Sequence, residues 1–220
     1  MKPKLRYLSE EHGQWLRAWW NALQQESGSE KKIQQEFRGL GHGDRARLRR
    51  ADSVEELETE RAASLLVARL LREEWKNNFA KNRFEADPSA LLMVAGVLAT
   101  VKTDSKDGKS LAWRVGVAAG KGEGNLLMSE MRFKRLLQAR GLEDFFLLAR
   151  RAVQMAGGVV DVGVLADDLL AWVYEQEFSA GVQRPAKSLC FRWAQDYYQP
   201  LKDKDAAWAA IEETPEGEMA

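Results

Sequence analysis

Residues 90–101 read Ala-Leu-Leu-Met-Val-Ala-Gly-Val-Leu-Ala-Thr-Val, a run without one charged side chain. A helix that is apolar on every side has to be enclosed by other elements. The run is well short of the roughly 18 apolar residues that mark a membrane span. Its β-branched content is low, which favours helix over strand. Asp87-Pro88 lies just upstream. A carboxylate can cap the first turn, and proline fits there because its missing N–H would have no intrahelical partner. The rest of the chain must therefore supply amphipathic elements to surround a buried central helix.

The remaining pattern is helical nearly throughout. Ser9 is placed to cap a helix in which Trp15, Leu16, Trp19 and Leu23 share a face. The glycine-rich run 38–43 predicts a loop, followed by a short basic helix over 44–51 with Asp44 as its cap. Asp52-Ser53 opens a further helical stretch, and Ala63, Leu66, Val67 and Leu70 stripe the one after it. Leu111 to Ala119 is amphipathic and runs into a glycine-rich loop at 120–124. In the second half, Ser129 precedes a helix over 130–140 stopped by Gly141, and a helix over 143–156 stops at Gly157-Gly158. Asp161 caps a helix over 162–174. A loop within 175–188 leads to a last helix over 186–198, closed by Pro200. No segment alternates at period two, and no internal repeat is visible. The fold class is all-α: a helical bundle protein with an N-terminal helical part over 1–124 and a C-terminal helical bundle over 125–202. Residues 203–220 form an acidic tail expected to be partly disordered.

The chemistry-bearing residues are few. The chain holds two histidines, His12 and His42, and one cysteine, and no spacing among them suits a metal. Cys190 lies between Leu189 and Phe191 on an apolar helix, which predicts a buried structural thiol, and one cysteine excludes an intrachain disulfide. The segment Gly116 to Gly122 fails as a phosphate loop. Three residues separate Gly116 from Gly120 where the motif has four, and Gly122 stands where Ser or Thr would hold magnesium. Asp167 and Asp168 are adjacent on a helix and so point about 100° apart, a poor geometry for a metal pair. The basic N-terminal residues lack an apolar stretch behind them, which predicts no secretory signal and a cytoplasmic location. These residues predict a protein that is not an enzyme, with no cofactor and no metal.

What the sequence does concentrate is arginine. The formal net charge is zero, yet residues 203–220 carry six carboxylates against the single Lys204, which leaves the body weakly basic. Arg45, Arg47, Arg49 and Arg50 fall within six residues. Arg132, Lys134, Arg135 and Arg140 form a second cluster, and Arg150-Arg151 a third, both read as lying on the outer half of their helix. Lys187 and Arg192 are further candidates on the last helix. Guanidinium matches phosphate oxygens bidentately. The candidate nucleic-acid-binding set is therefore Arg45, Arg47, Arg49, Arg50, Arg132, Lys134, Arg135, Arg150, Arg151 and Arg192. The competing reading of each cluster is intramolecular ion pairing.

An ordered series of motifs brings a family into view. Ser129-Glu130-Met131-Arg132-Phe133-Lys134-Arg135-Leu136-Leu137 resembles the Ser-Glu-x-Arg-Phe-x-x-Leu-Leu motif of the CasB family. The resemblance continues through Phe145 to Met155, Val160-Asp161-Val162, the helix of Leu165, Leu169, Leu170 and Trp172, and Arg192-Trp193-Ala194-x-Asp196-Tyr197-Tyr198. Upstream, Gly43 to Ala51 resembles the family's N-terminal basic motif. CasB is the small, non-catalytic subunit of the type I-E CRISPR Cascade surveillance complex. The resemblance implies an all-helical fold and assembly beside the guide-coating backbone subunits and the large subunit, with a second copy of the chain as neighbour. It also implies contact with guide RNA and with target or displaced DNA, stabilising the opened target in antiviral defence. Cleavage would belong to a recruited helicase–nuclease. The alternative is a purely structural adaptor whose helices hold partner subunits without touching nucleic acid.

Overall fold

The computed structural model describes residues 5–25, 35–72, 87–116, 126–178 and 188–199. The chain runs through α1 (Glu10–Leu23), α2 (His42–Arg50), α3 (Arg61–Leu70), α4 (Pro88–Leu98), α5 (Leu111–Gly116), α6 (Glu130–Leu137), α7 (Gly141–Met155), α8 (Val162–Phe178) and a last helix, α9, over residues 189–199. Short 3-10 turns lie at Gln35–Phe37 and Glu55–Thr59. The fold is all-α apart from two parallel two-residue strands, β1 (Thr103–Asp104) and β2 (Val159–Val160), paired Thr103 to Val159 and Asp104 to Val160. The expectations placed on Lys187, on the loop at 120–124, on residues 179–187 and on the acidic segment 203–220 lie outside the described residues.

Helix α4 is the centre, as its sequence requires. Asp87 accepts the Ser89 N–H at 2.9 Å, Pro88 occupies the first turn, and every residue from Ala90 to Leu98 is buried. Helices α3, α7 and α8 pack against it, and α1 packs on α8. One connected core takes side chains from Leu8 at one end of the chain to Tyr197 at the other. Among the described residues no helix is long and apolar enough to cross a membrane.

The ends of the helices follow local chemistry, with several boundaries differing from the sequence expectation. Ser9 caps α1 in a reciprocal box: its hydroxyl accepts the His12 N–H and the His12 ring accepts the Ser9 N–H. Helix α2 begins at His42 rather than Asp44. Asp44 sits one turn in and accepts the Gly41 N–H at 3.0 Å, so it is the returning half of a cap and not the cap itself. After Asp52-Ser53 comes the 3-10 turn at Glu55–Thr59, and α3 starts only at Arg61. Gly141 opens α7 instead of merely stopping α6, which already ends at Leu137. Helix α8 reaches Phe178, past the expected end at Tyr174, so residues 175–178 are helix and not loop.

Two polar junctions fix the bundle. Gly157 and Gly158 turn the chain with φ of 70° and 78°, a left-handed geometry glycine adopts freely. The turn brings β2 beside β1, which places Asp104 and Asp161 around the Arg17 guanidinium from α1. Asp161 also accepts the Gly163 and Val164 N–H groups, so it caps α8 as expected. Asp167 accepts the N–H groups of Arg6, Tyr7 and Leu8, and Asp168 accepts Trp193 Nε1 at 2.8 Å and Arg192 at 3.2 Å. The adjacent carboxylates thus bind the chain's N-terminal segment on one side and α9 on the other. Burial pushes the Asp168 carboxyl up to about 6 and raises Asp167 as well.

Candidate nucleic-acid interface

The candidate cations divide by what they touch. Arg45 projects from α2 to the end of α4, where Nε donates to the Ala99 carbonyl at 3.0 Å and Nη2 to Val101 at 2.6 Å. Arg150 projects from α7 to the end of α2, donating to the Arg49 and Ala51 carbonyls while its guanidinium lies 4.9 Å over the Phe146 ring. Burial lowers the pKa of both. Each satisfies carbonyls that a helix end leaves without an intrahelical donor. Arg150 therefore faces α2, whereas the helical spacing had placed it outward with Arg151. Arg47 pairs with Asp44 and, at 3.0 Å, with Glu60. Lys134 pairs with Glu130 at 2.7 Å across one turn, and Arg192 with the buried Asp168. For Arg47, Lys134 and Arg192 the ion-pairing reading describes the geometry, while Arg45 and Arg150 are held by backbone carbonyls instead.

The others are open. Arg49, Arg50, Arg132, Arg135 and Arg151 are exposed, and none of their side chains has a hydrogen-bond or ion-pair partner among the described residues. Three of them share a site. Arg132, Arg135 and Arg151 line a cleft of about 460 Å³ between α6 and α7, together with Gln154 and an apolar floor of Met128, Leu136, Leu148 and Met155. Arg135 also borders a shallower, mixed-charge depression with Arg140 and Asp144. Arg49 and Arg50 lie at the end of α2 against which Arg150 packs. Helix α7 thus touches both groups of open arginines, through Arg150 on one flank and Arg151 on the other.

The sequence places the cleft arginines by simple periodicity. Phe133 and Leu136 are buried, so residues 132 and 135 must face out. The backing of α6 is aromatic: Phe133 stacks on Tyr197 of α9 with centroids 4.0 Å apart and planes 5° from parallel. Tyr197 donates to the Met128 carbonyl at 2.7 Å, and Tyr198 donates to Glu130 at 2.8 Å. Those hydrogen bonds from Lys134 and Tyr198 hold the Glu130 carboxyl below its usual value. Five tryptophans, Trp15, Trp19, Trp20, Trp172 and Trp193, are buried, in line with the core role read from their spacing. Sequence reasoning missed the apolar floor of the cleft. Met128 precedes α6 and Met155 is the last residue of α7, and only the tertiary fold brings them together.

No ligand set for a metal emerges: among the described residues no three of His, Cys, Asp and Glu are grouped to hold one. Cys190 is half-buried rather than enclosed, its Sγ 3.8 Å from the Leu137 carbonyl, and burial raises its pKa. The arrangement offers cationic contact and apolar shelter.

The family model for CRISPR-associated protein Cse2 matches residues 44–198. That span contains all but the first two residues of α2, the whole α6–α7 cleft, and α9 up to residue 198. No curated protein matches the chain, and no solved structure does.

Proposed function

The chain belongs to the Cse2 family, the small subunit of the type I-E CRISPR Cascade complex, and we propose that within it the open arginines hold a nucleic-acid strand by its phosphates. Cse2 is a structural subunit, and the reading assigns this chain no chemical step. The strand is the single strand displaced when the guide pairs with its target, held in the cytoplasm during antiviral defence. Guide-coating subunits, the large subunit and a second copy of the chain flank it.

The observation that carries the reading is the convergence of Arg132, Arg135 and Arg151 on one cleft, with no carboxylate among the described residues paired to any of them. Exchanging a DNA duplex for a guide–target duplex is nearly balanced in free energy, so a few backbone contacts tip it. Three to five guanidiniums supply contacts of that size. They hold phosphate and not base edges, so binding should be indifferent to sequence. Arg45 and Arg150 serve the site indirectly, by setting the end of α2 on which Arg49 and Arg50 sit.

The adaptor reading also has an observation in its favour. Met131 on α6 is 82% exposed and Phe191 on α9 is 42% exposed, and apolar side chains of that kind suit a protein partner. The two readings separate in the isolated protein. Strand holding predicts binding to a single-stranded DNA oligonucleotide at low salt, weakened about tenfold or more in R132E/R135E/R151E with the fold unchanged. An adaptor shows no strand binding in either protein.

A further inference from the structure

A phosphate backbone needs the arginines of the α6–α7 cleft but has little use for its floor. Met128, Leu136, Leu148 and Met155 line the same space as Arg132, Arg135 and Arg151. An occupant that satisfies both carries carboxylates and large apolar side chains together. Residues 203–220 of this chain have that composition: six carboxylates against one lysine, with Trp208 and Ile211 between them.

The path of the chain favours the match. The last described residue of helix α9 is 199. Its last turns are fastened to α6, through Tyr197 on Phe133 and on the Met128 carbonyl and through Tyr198 on Glu130. Met128 is itself part of the cleft floor. The described chain therefore stops, four residues short of the acidic segment, next to the helix that carries two of the three cleft arginines. Nine residues of extended chain, from 199 to 208, reach up to roughly 30 Å, while α6 is only about 12 Å long. A tether this short gives an effective concentration on the order of millimolar.

We propose that the acidic segment 203–220 docks in cis on the α6–α7 cleft, with its carboxylates on Arg132, Arg135 and Arg151 and with Trp208 and Ile211 on the apolar floor, and that a strand must displace it. The docking stands on charge and apolar complementarity alone; the competition rests on the strand-holding reading above. The segment then acts as a counterweight: it lowers binding to stray nucleic acid and yields to a strand presented at high local concentration inside the assembled complex.

The test uses full-length protein. In one variant the six carboxylates are neutralised (D203N/D205N/E212Q/E213Q/E216Q/E218Q). A labelled synthetic peptide of residues 203–220 is titrated against this variant, against wild type, and against the variant further carrying R132E/R135E/R151E, with anisotropy as readout. The expected result is binding to the neutralised chain, binding about tenfold weaker to wild type because the cleft is already occupied, and loss on charge reversal. Equal binding to wild type and neutralised chain, or binding that survives charge reversal, overturns the docking. In parallel, the neutralised chain should bind a single-stranded oligonucleotide about tenfold more tightly than wild type at low salt, with the gap closing as salt rises. If the peptide results hold and neither protein binds DNA, the strand reading fails while the docking stands. If DNA binds equally to both and the peptide to neither, the docking fails. Sedimentation provides the last arm: a dimer abolished by R132E/R135E/R151E would assign the cleft to a second copy and overturn the cis occupant.

Discussion

At the scale of single residues, the arginines are alike in sequence and unlike in the fold. Arg45 and Arg49 stand one turn apart on α2, yet Arg45 is bound to carbonyls 54 and 56 residues away and Arg49 is open. A cluster of arginines is legible in the sequence; its distant carbonyl partners are not, because backbone acceptors leave no compositional trace. The division has a measurable consequence. Arg45→Ala and Arg150→Ala should each lower the unfolding free energy by about 1.5–3 kcal/mol, the range for hydrogen bonds from a charged donor. Arg132→Ala and Arg135→Ala should stay within about 0.5 kcal/mol. Urea denaturation of the four variants checks this, and an Arg45→Ala protein as stable as wild type would remove its structural assignment. Asp168 gives a second residue-scale prediction. Its folded-state pKa of about 6 is above the ordinary carboxylate value of 3.8, so the folded state holds this proton more tightly than the unfolded one. The contribution is fully present below about pH 4 and is lost as pH rises through 6. The stability difference between wild type and Asp168→Asn should therefore move against wild type between pH 4 and 6 and be level above about 7. A difference independent of pH across that window would contradict the assignment.

At the scale of elements, the caps and the central helix were legible because their signals are local. Asp87-Pro88, Ser9 and Asp161 each act within a turn of where they lie. The β1–β2 pair was not legible, since two residues cannot display an alternation and their pairing depends on a contact across 56 positions. The close approach of α5 to α9 was equally hidden. A Cβ on Gly116 would lie 2.1 Å from the Tyr197 carbonyl oxygen, a backbone atom that cannot yield without moving α9. A Cβ on Gly96 would meet Leu57 and Phe146 side chains at 2.7 Å, which have some freedom to shift. Gly116→Ala should therefore cost more stability than Gly96→Ala, about 3 kcal/mol or more against about 1–3. It should also weaken strand binding, because Tyr197 backs the Phe133 face of α6. Thermal denaturation of the two variants gives the order; the reverse order would show that α5 and α9 are not held this closely.

At the scale of the whole molecule, the all-α class followed from the helical periodicity of nearly every segment and from the need to enclose residues 90–101. The cleft did not follow. Arg151 was expected to share an outward face with Arg150, but α7 turns Arg150 toward α2 and leaves Arg151 to meet Arg132 and Arg135 from α6. That meeting is a property of how two helices cross, and no window of sequence contains it. The central claim is that these open arginines engage phosphates. The salt dependence of single-strand binding tests it most directly, because each phosphate contact adds about −0.7 to the slope of log K against log salt concentration. Strand holding predicts a slope in R132E/R135E/R151E shallower than wild type by up to about 2. Identical slopes in the two proteins would contradict it.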